Sequence, residues 1–187
     1  MNISVLGSGG REHALCYKLK QSPKIKKIYC LPGNAGTSFI ATNIEVNISN
    51  FEEVCSTINK FKIDYVIVGP EQPLVKGIVD FLEDKKIKVF GPNKFASKLE
   101  GSKAFMKNLC EENKIPTAEF STFNSLDGLE EFINNSKVPI VIKADGLAAG
   151  KGVTICQTKN EAILESKEIL NGKFKSSQTV VIEEFLK

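Results

Sequence analysis

A chain of 187 residues, 42% apolar and 25% charged, has room for one large folded domain or two small ones and is ordinary for a globular protein. Its formal net charge of +3, from 25 basic and 22 acidic side chains spread along the chain, gives no reason to expect nucleic acid as a partner. Five cysteines without CxxC spacing read as reduced thiols of a cytoplasmic protein. No apolar run approaches the ~18 residues of a membrane span, and residues 2–6 enter a strand at once, so neither a membrane nor a signal peptide is expected.

The chain opens NISVLGSGGREHAL. Ile3, Val5 and Leu6 form a short buried strand; Gly7, Gly9 and Gly10 turn it; a helix is expected over 11–21. Backbone N–H groups and the positive end of a helix dipole then share one spot, which favours a phosphate. A dinucleotide fingerprint needs a third glycine where Glu12 stands, and an acid closing the second strand, 28–31, which runs instead into Pro32-Gly33. A nicotinamide cofactor is therefore not expected. Arg11 places a cation against the dipole, which suits a bound anion; its long side chain also simply reaches solvent. His13 has no second ligand at metal spacing and reads as a helix-face residue.

Pro32 to Thr37 (PGNAGT) is a second glycine loop at a strand's carboxyl end. A helix near 51–61 and a strand over 64–68 follow, then GPEQPLVKG at 69–77. Glu71 lies in that turn, placed either to accept hydrogen bonds from sugar hydroxyls or to stabilise a helix over 74–83 through its dipole. With a strand over 88–90, strands and helices alternate throughout 1–92, the pattern of a doubly wound parallel sheet.

Ser102 is placed to cap a helix running to 113, with Lys103 and Lys107 one turn apart. A cation in a first turn is disfavoured by ~0.3–1 kcal/mol unless an anion is near. Beyond it the order changes to strand 119–123, helix 126–134, strand 140–143, strand 153–156, helix 159–170 and strand 179–184. This is a smaller α+β unit, and the boundary is set between 117 and 118. Its centre is PIVIKADGLAAGKGV, 139–153. Val141 and Lys143 share one strand face and Ile140 and Ile142 the other. A lysine there calls for an anion. Gly146, Gly150, Lys151 and Gly152 make a loop whose amides can approach phosphates. It is not a Walker A loop: a glycine follows Lys151, and Val153 begins a strand and not a helix. Strand, loop and strand suggest a flap over a nucleotide.

GSGGREH at 7–13, PGNAGT at 32–37, IVGPEQPLVKG at 67–77, FGP at 90–92, LEGSKAFMK at 99–107, KIPTAEF at 114–120, VIKADGLAAGKGV at 141–153 and VIEEFL at 181–186 together resemble the phosphoribosylamine–glycine ligase family of the ATP-grasp superfamily. The resemblance runs along the whole chain. Ser8 departs from the asparagine that many members carry, a change that leaves the turning glycines in place. It implies a pre-ATP-grasp domain over 1–117 and the small ATP-grasp lobe over 118–187. It also implies ATP-dependent joining of glycine to 5-phosphoribosylamine through glycyl phosphate, in purine synthesis. Carried over by motif, Lys103 and Lys143 would contact ATP phosphates. The flap of 145–152, with Gly146, Gly150, Lys151 and Gly152, would close over them. Glu183 and the backbone of Glu184, Phe185 and Leu186 would hold adenine. Gly7, Gly9, Gly10, Arg11 and Glu71 would serve phosphoribosylamine.

The family's chain continues further, and its magnesium or manganese ligands belong to that continuation. No metal ligand is therefore expected within 1–187, and the chain reads as a front portion, inactive alone. Two other readings remain: an ATP-grasp enzyme of different specificity, such as a biotin carboxylase-like carboxylase, and a nucleotide-binding fragment without turnover. The first leaves GSGGREH and GPEQPLVKG without a purpose.

Overall fold

A computed structural model describes residues 1–148, 150–174 and 178–186. They form two compact units, Met1–Ser97 and Lys98–Lys187.

In the first unit the elements run β1 (Asn2–Gly7), α1 (Gly10–Lys20), β2 (Lys27–Pro32), a 3-10 turn (Thr37–Phe39), β3 (Thr42–Asn43), α2 (Phe51–Lys60), β4 (Tyr65–Val68), α3 (Glu71–Lys76), α4 (Ile78–Asp84) and β5 (Val89–Phe90). The strands pair in the order β3-β2-β1-β4-β5, all parallel. Alternation along each strand feeds two cores. Val5, Ile28 and Cys30 pack with Cys16 of α1 on one face. Leu6, Leu31, Val66 and Val68 pack with Val54 and Ile58 of α2 and with Ile78 and Leu82 of α4 on the other. Covering both faces is what a parallel sheet requires, and each such side chain stabilises the fold by ~1.5–3 kcal/mol. The helix expected over 74–83 is in fact two, because Gly77 (φ +93°) ends α3 in a left-handed conformation and α4 starts after it. At β1 the strand order turns back, so the loops leaving β1 and β4 sit beside each other at the carboxyl edge, the usual place for a ligand crevice.

The second unit holds α5 (Lys98–Gly101), α6 (Lys103–Glu112), β6 (Phe120–Phe123), α7 (Leu129–Asn135), β7 (Ile140–Ala144), β8 (Val153–Cys156), α8 (Lys159–Leu170) and β9 (Val180–Glu184). Its sheet is antiparallel, in the order β6-β9-β7-β8. Ile140, Ile142, Val180 and Ile182 pack against Leu129 and Ile133 of α7 and Ala162 and Ile169 of α8. The opposite face carries Val141, Lys143, Val181, Glu183, Val153 and Ile155 by the strand register. Ser102 caps α6, accepting from the Phe105 amide at 3.1 Å.

The units divide after Ser97, ahead of the boundary set between 117 and 118. The reason lies in α6. The Ser102 hydroxyl and the Ala104 amide donate to Asp145 at 3.0 and 3.1 Å, and Lys103 donates to the Gly146 carbonyl. Capping contacts thus tie α6 to the end of β7, whereas the change in element order comes only after it.

Candidate functional site

Each unit gathers part of the expected residues. In the first, Gly7 closes β1 and Gly9 precedes α1. Glu12 folds back from the first turn, and its Oε2 accepts the Gly9 amide at 2.6 Å. Its side chain is 4% exposed, and its Oε1 has no hydrogen-bond partner. The carboxylate fills the space that missing side chains leave: a Cβ on Gly7 would stand 2.7 Å from it, and one on Gly69 2.2 Å. The anion at this helix start is therefore the protein's own, and the Gly9 amide is already engaged. Gly10 differs, since a Cβ there would meet nothing within 4 Å.

Arg11 lies between two carboxylates. Its Nη1 is 2.9 Å from Glu71 Oε1 and its Nε 3.5 Å from Glu12 Oε1. The hydrogen bond with Glu71 raises the guanidinium's pKa, and the same bond holds the Glu71 carboxyl below its ordinary value. Glu71 is also the first residue of α3, so both readings of it keep a structural basis. The second glycine loop is tied in as well: Asn34 donates through Nδ2 to the Ser8 carbonyl at 2.8 Å, and Thr37 donates to Asn43 Oδ1 at 2.7 Å. His13 lies against Gly36, as a helix-face residue does.

In the second unit, Lys143 has its anion: Glu183 Oε1, 2.7 Å from its Nζ. Glu183, expected at the adenine, is thus engaged by lysines, since Lys107 Nζ stands 3.2 Å from its Oε2. Lys103 Nζ donates to the Gly146 carbonyl at 2.8 Å. Its ammonium has a lowered pKa, first because burial desolvates it; the charge of Lys143 adds to that, and Asp145 opposes it. In the flap, the Lys151 amide donates to the Ala148 carbonyl and the Gly152 carbonyl accepts from Ala144. Lys151 and Gly150 are exposed. Ala149, within the expected flap, lies outside the described residues. Glu184 bonds Glu119 through both its amide and its carboxylate, at 3.0 Å each. Phe185 and Leu186 follow, exposed.

Sequence reasoning singled out neither Val153 nor Ile155 as site residues, although both are about half exposed on the Lys143 face. Period-two counting from Lys143 across the hairpin finds them, and with Val141 they give an apolar surface beside the Lys143 ammonium. A cleft of about 990 Å³ reaches Glu183 and Glu184 past Thr117, Phe120 and Phe132 but is not lined by Lys103 or Lys143. Among the described residues, no three His, Cys, Asp or Glu side chains gather as a cation site. No helix among them is long and apolar enough to cross a membrane.

Family models for phosphoribosylglycinamide synthetase match the chain end to end, the N domain over residues 1–100 and the ATP-grasp (A) domain over 101–187. The chain belongs to the phosphoribosylglycinamide synthetase family. Phosphoribosylamine–glycine ligase of Mesorhizobium japonicum is 47% identical over 187 residues, and that of Pasteurella multocida 44% over 190; each covers 100% of this chain. The chain spans 44% of the length of either relative. Among solved structures, the Thermotoga maritima phosphoribosylamine–glycine ligase matches with a TM-score of 0.81 at 33% identity, over 100% of this chain and 44% of that one. The biotin carboxylase domain of the Hydrogenobacter thermophilus 2-oxoglutarate carboxylase matches with a TM-score of 0.79 at 18% identity, over the same shares, a likeness of fold alone.

Proposed function

We propose that these 187 residues supply the phosphoribosylamine-binding domain and the nucleotide-closing lobe of a cytoplasmic phosphoribosylamine–glycine ligase. The observation that carries this reading is that Lys103, bonded to the Gly146 carbonyl of the glycine flap, and Lys143, on the sheet face that carries Val153 and Ile155, act on each other's charge, in a chain of this family. In the reaction, the glycine carboxylate takes the γ-phosphoryl group of ATP and releases ADP. The amine nitrogen of 5-phosphoribosylamine then bonds to the carbonyl carbon, the C–O bond to phosphate breaks, and the nitrogen loses a proton.

Lys103 and Lys143 neutralise the phosphates, and the flap of Gly146, Gly150, Lys151 and Gly152 covers them. Val141, Val153 and Ile155 bed the adenine, and the backbone of Glu184, Phe185 and Leu186 borders it. Gly7, Gly9 and Gly10 shape the phosphoribosylamine pocket, with Gly10 as the open approach and Arg11 and Glu71 facing phosphate and ribose. The residues described here do not fit a magnesium or manganese ion, so no step is assigned to one. The two ammonium groups leave most of a triphosphate's charge unanswered. The 187-residue chain alone is therefore expected to bind ATP weakly and to show no turnover.

The test is a chimera in which these residues replace the matching 44% of the Mesorhizobium relative. ADP release should need both glycine and phosphoribosylamine; release without either would sink the reading. Gly10→Val should raise the Michaelis constant for phosphoribosylamine at least ~10-fold (~1.4 kcal/mol) and leave that for ATP unchanged. A Cβ on Gly10 meets nothing within 4 Å, so folding should survive, and an equal loss for both substrates with a lower melting point would assign Gly10 to the turn.

A proton should also move. Lys103 titrates below an ordinary lysine, and a phosphate beside it favours its charged form. ATP binding at alkaline pH should then take up a proton, seen as a binding enthalpy that varies with the buffer's ionisation heat. Lys103→Gln should abolish that dependence; its persistence would remove Lys103 from the phosphates.

A further inference from the structure

Lys107 is among the largest fully buried side chains of the protein. An ammonium in such a place is sustained only by partners. Its Nζ donates to Thr117 Oγ1 and to the Ala118 carbonyl, both at 2.8 Å. It stands 3.2 Å from Glu183 Oε2 and 5.2 Å from the centroid of the Phe120 ring. It is therefore fixed from several sides. Lys143 is held differently. Its Nζ lies 2.7 Å from Glu183 Oε1, yet that oxygen has no hydrogen-bond partner, so the approach is close but out of line. The Lys143 side chain is 24% exposed and that of Lys107 2%. One carboxylate is thus shared between a fixed cation and a cation at the surface.

We propose that Lys107 is a positioning residue of the nucleotide site: it keeps Glu183 paired and in place, so that Lys143 is parked on Glu183 and free to leave it for a polyphosphate. The inference rests on the assignment of Lys143 to ATP phosphates. With Lys107 present, the departure of Lys143 leaves Glu183 still paired. Without Lys107, Glu183 would depend on Lys143 alone, and phosphate binding would strand a bare carboxylate in the interior. Lys103, Asp145 and Glu100 carry further charge in this cluster, and Asp145 is already engaged by Ser102 and Ala104. Lys107 touches no phosphate in this arrangement; it acts through Glu183.

The test uses the chimera with the Mesorhizobium relative, titrated with ATP by calorimetry and unfolded by heat. Lys143→Met should lose most ATP binding. Lys107→Met should weaken it about tenfold or more, and Lys107→Met/Glu183→Gln should recover most of that loss, because the stranded charge is gone. A purely packing role for Lys107 would show no such rescue. Binding by Lys107→Met within about twofold of the parent, or a double variant no tighter than the single one, overturns the proposal. If Lys107→Met does not fold, the double variant must fold and bind; its failure to do so overturns the proposal equally. Equal ATP binding by the parent and Lys143→Met would instead overturn the assignment of Lys143, and the proposal with it.

Discussion

Lys143→Met in the chimera is expected to weaken ATP binding by about 10- to 100-fold, the range for losing one charge-assisted hydrogen bond at ~1.5–3 kcal/mol. Turnover should fall by more if Lys143 meets the phosphates as proposed, because charge grows on the transferring phosphoryl oxygens. Folding should survive. The Lys143 side chain is partly exposed, methionine keeps its apolar stem, and Glu183 retains Lys107 at 3.2 Å when Lys143 is gone. Melting curves of parent and variant should therefore agree closely while the nucleotide titrations separate. Turnover and Michaelis constant within about twofold, worth only ~0.4 kcal/mol, would show that Lys143 is no phosphate ligand.

Gly69→Ala should be among the most damaging single-methyl changes in the first unit. Its Cβ would stand 2.2 Å from Glu12 Oε1 and 2.7 Å from Glu12 Cγ and Cδ. The carboxylate has little room to retreat, because its other oxygen holds the Gly9 amide at 2.6 Å and Gly7 crowds the opposite side. Overpacking costs ~1–3 kcal/mol, and losing a hydrogen bond to a charged group adds ~1.5–3, so a loss of about 3 kcal/mol is expected by denaturant unfolding. In a Glu12→Ala background the same methyl enters vacated space and should cost less than about 1 kcal/mol. Equal costs in both backgrounds would mean that Glu12 does not fill the glycine cradle.

Much of the fold could be read from the residues because its elements are short apolar runs punctuated by glycine and proline. β1, β4, β7 and β8 fall within a residue or so of their expected places, and Ser102 caps its helix as expected. β3 escaped because two residues make no pattern. The break at Gly77 shows in the sequence only as a lone glycine inside a helical pattern whose apolar periodicity continues on both sides of it. The site was harder. Glu12 looked like a failed fingerprint position, since nothing local says that Gly69, from another strand's end, makes room for it. Lys107 shows in the sequence only as a residue one turn from Lys103 on a helix, because its partner Glu183 lies at the far end of the sequence. The same pairing hid the anion of Lys143. Alternation fixes which face a side chain occupies, but the identity of its cross-strand neighbour depends on register, and β9 sets that register from outside the hairpin.

The strand order of the second sheet also bears on how the chain is made. Of the four strands of this sheet β9 is the last to be synthesised, yet it lies between β6 and β7. Phe120 meets Glu183, and Val141 meets Glu183 from the other side. Until Val180–Glu184 has been synthesised, β6 has no neighbour and the β7–β8 hairpin keeps an open edge lined by Ile140 and Ile142. The first unit has no such debt to later sequence, since every strand of its sheet is complete by Phe90. While residues 124–179 are being added, a nascent chain therefore carries a finished parallel sheet and, in turn, an unpaired β6 and then a β7–β8 hairpin with an open edge. Chaperone capture, or aggregation when capture fails, would act in that window, on Phe120–Phe123 and Ile140–Ala144.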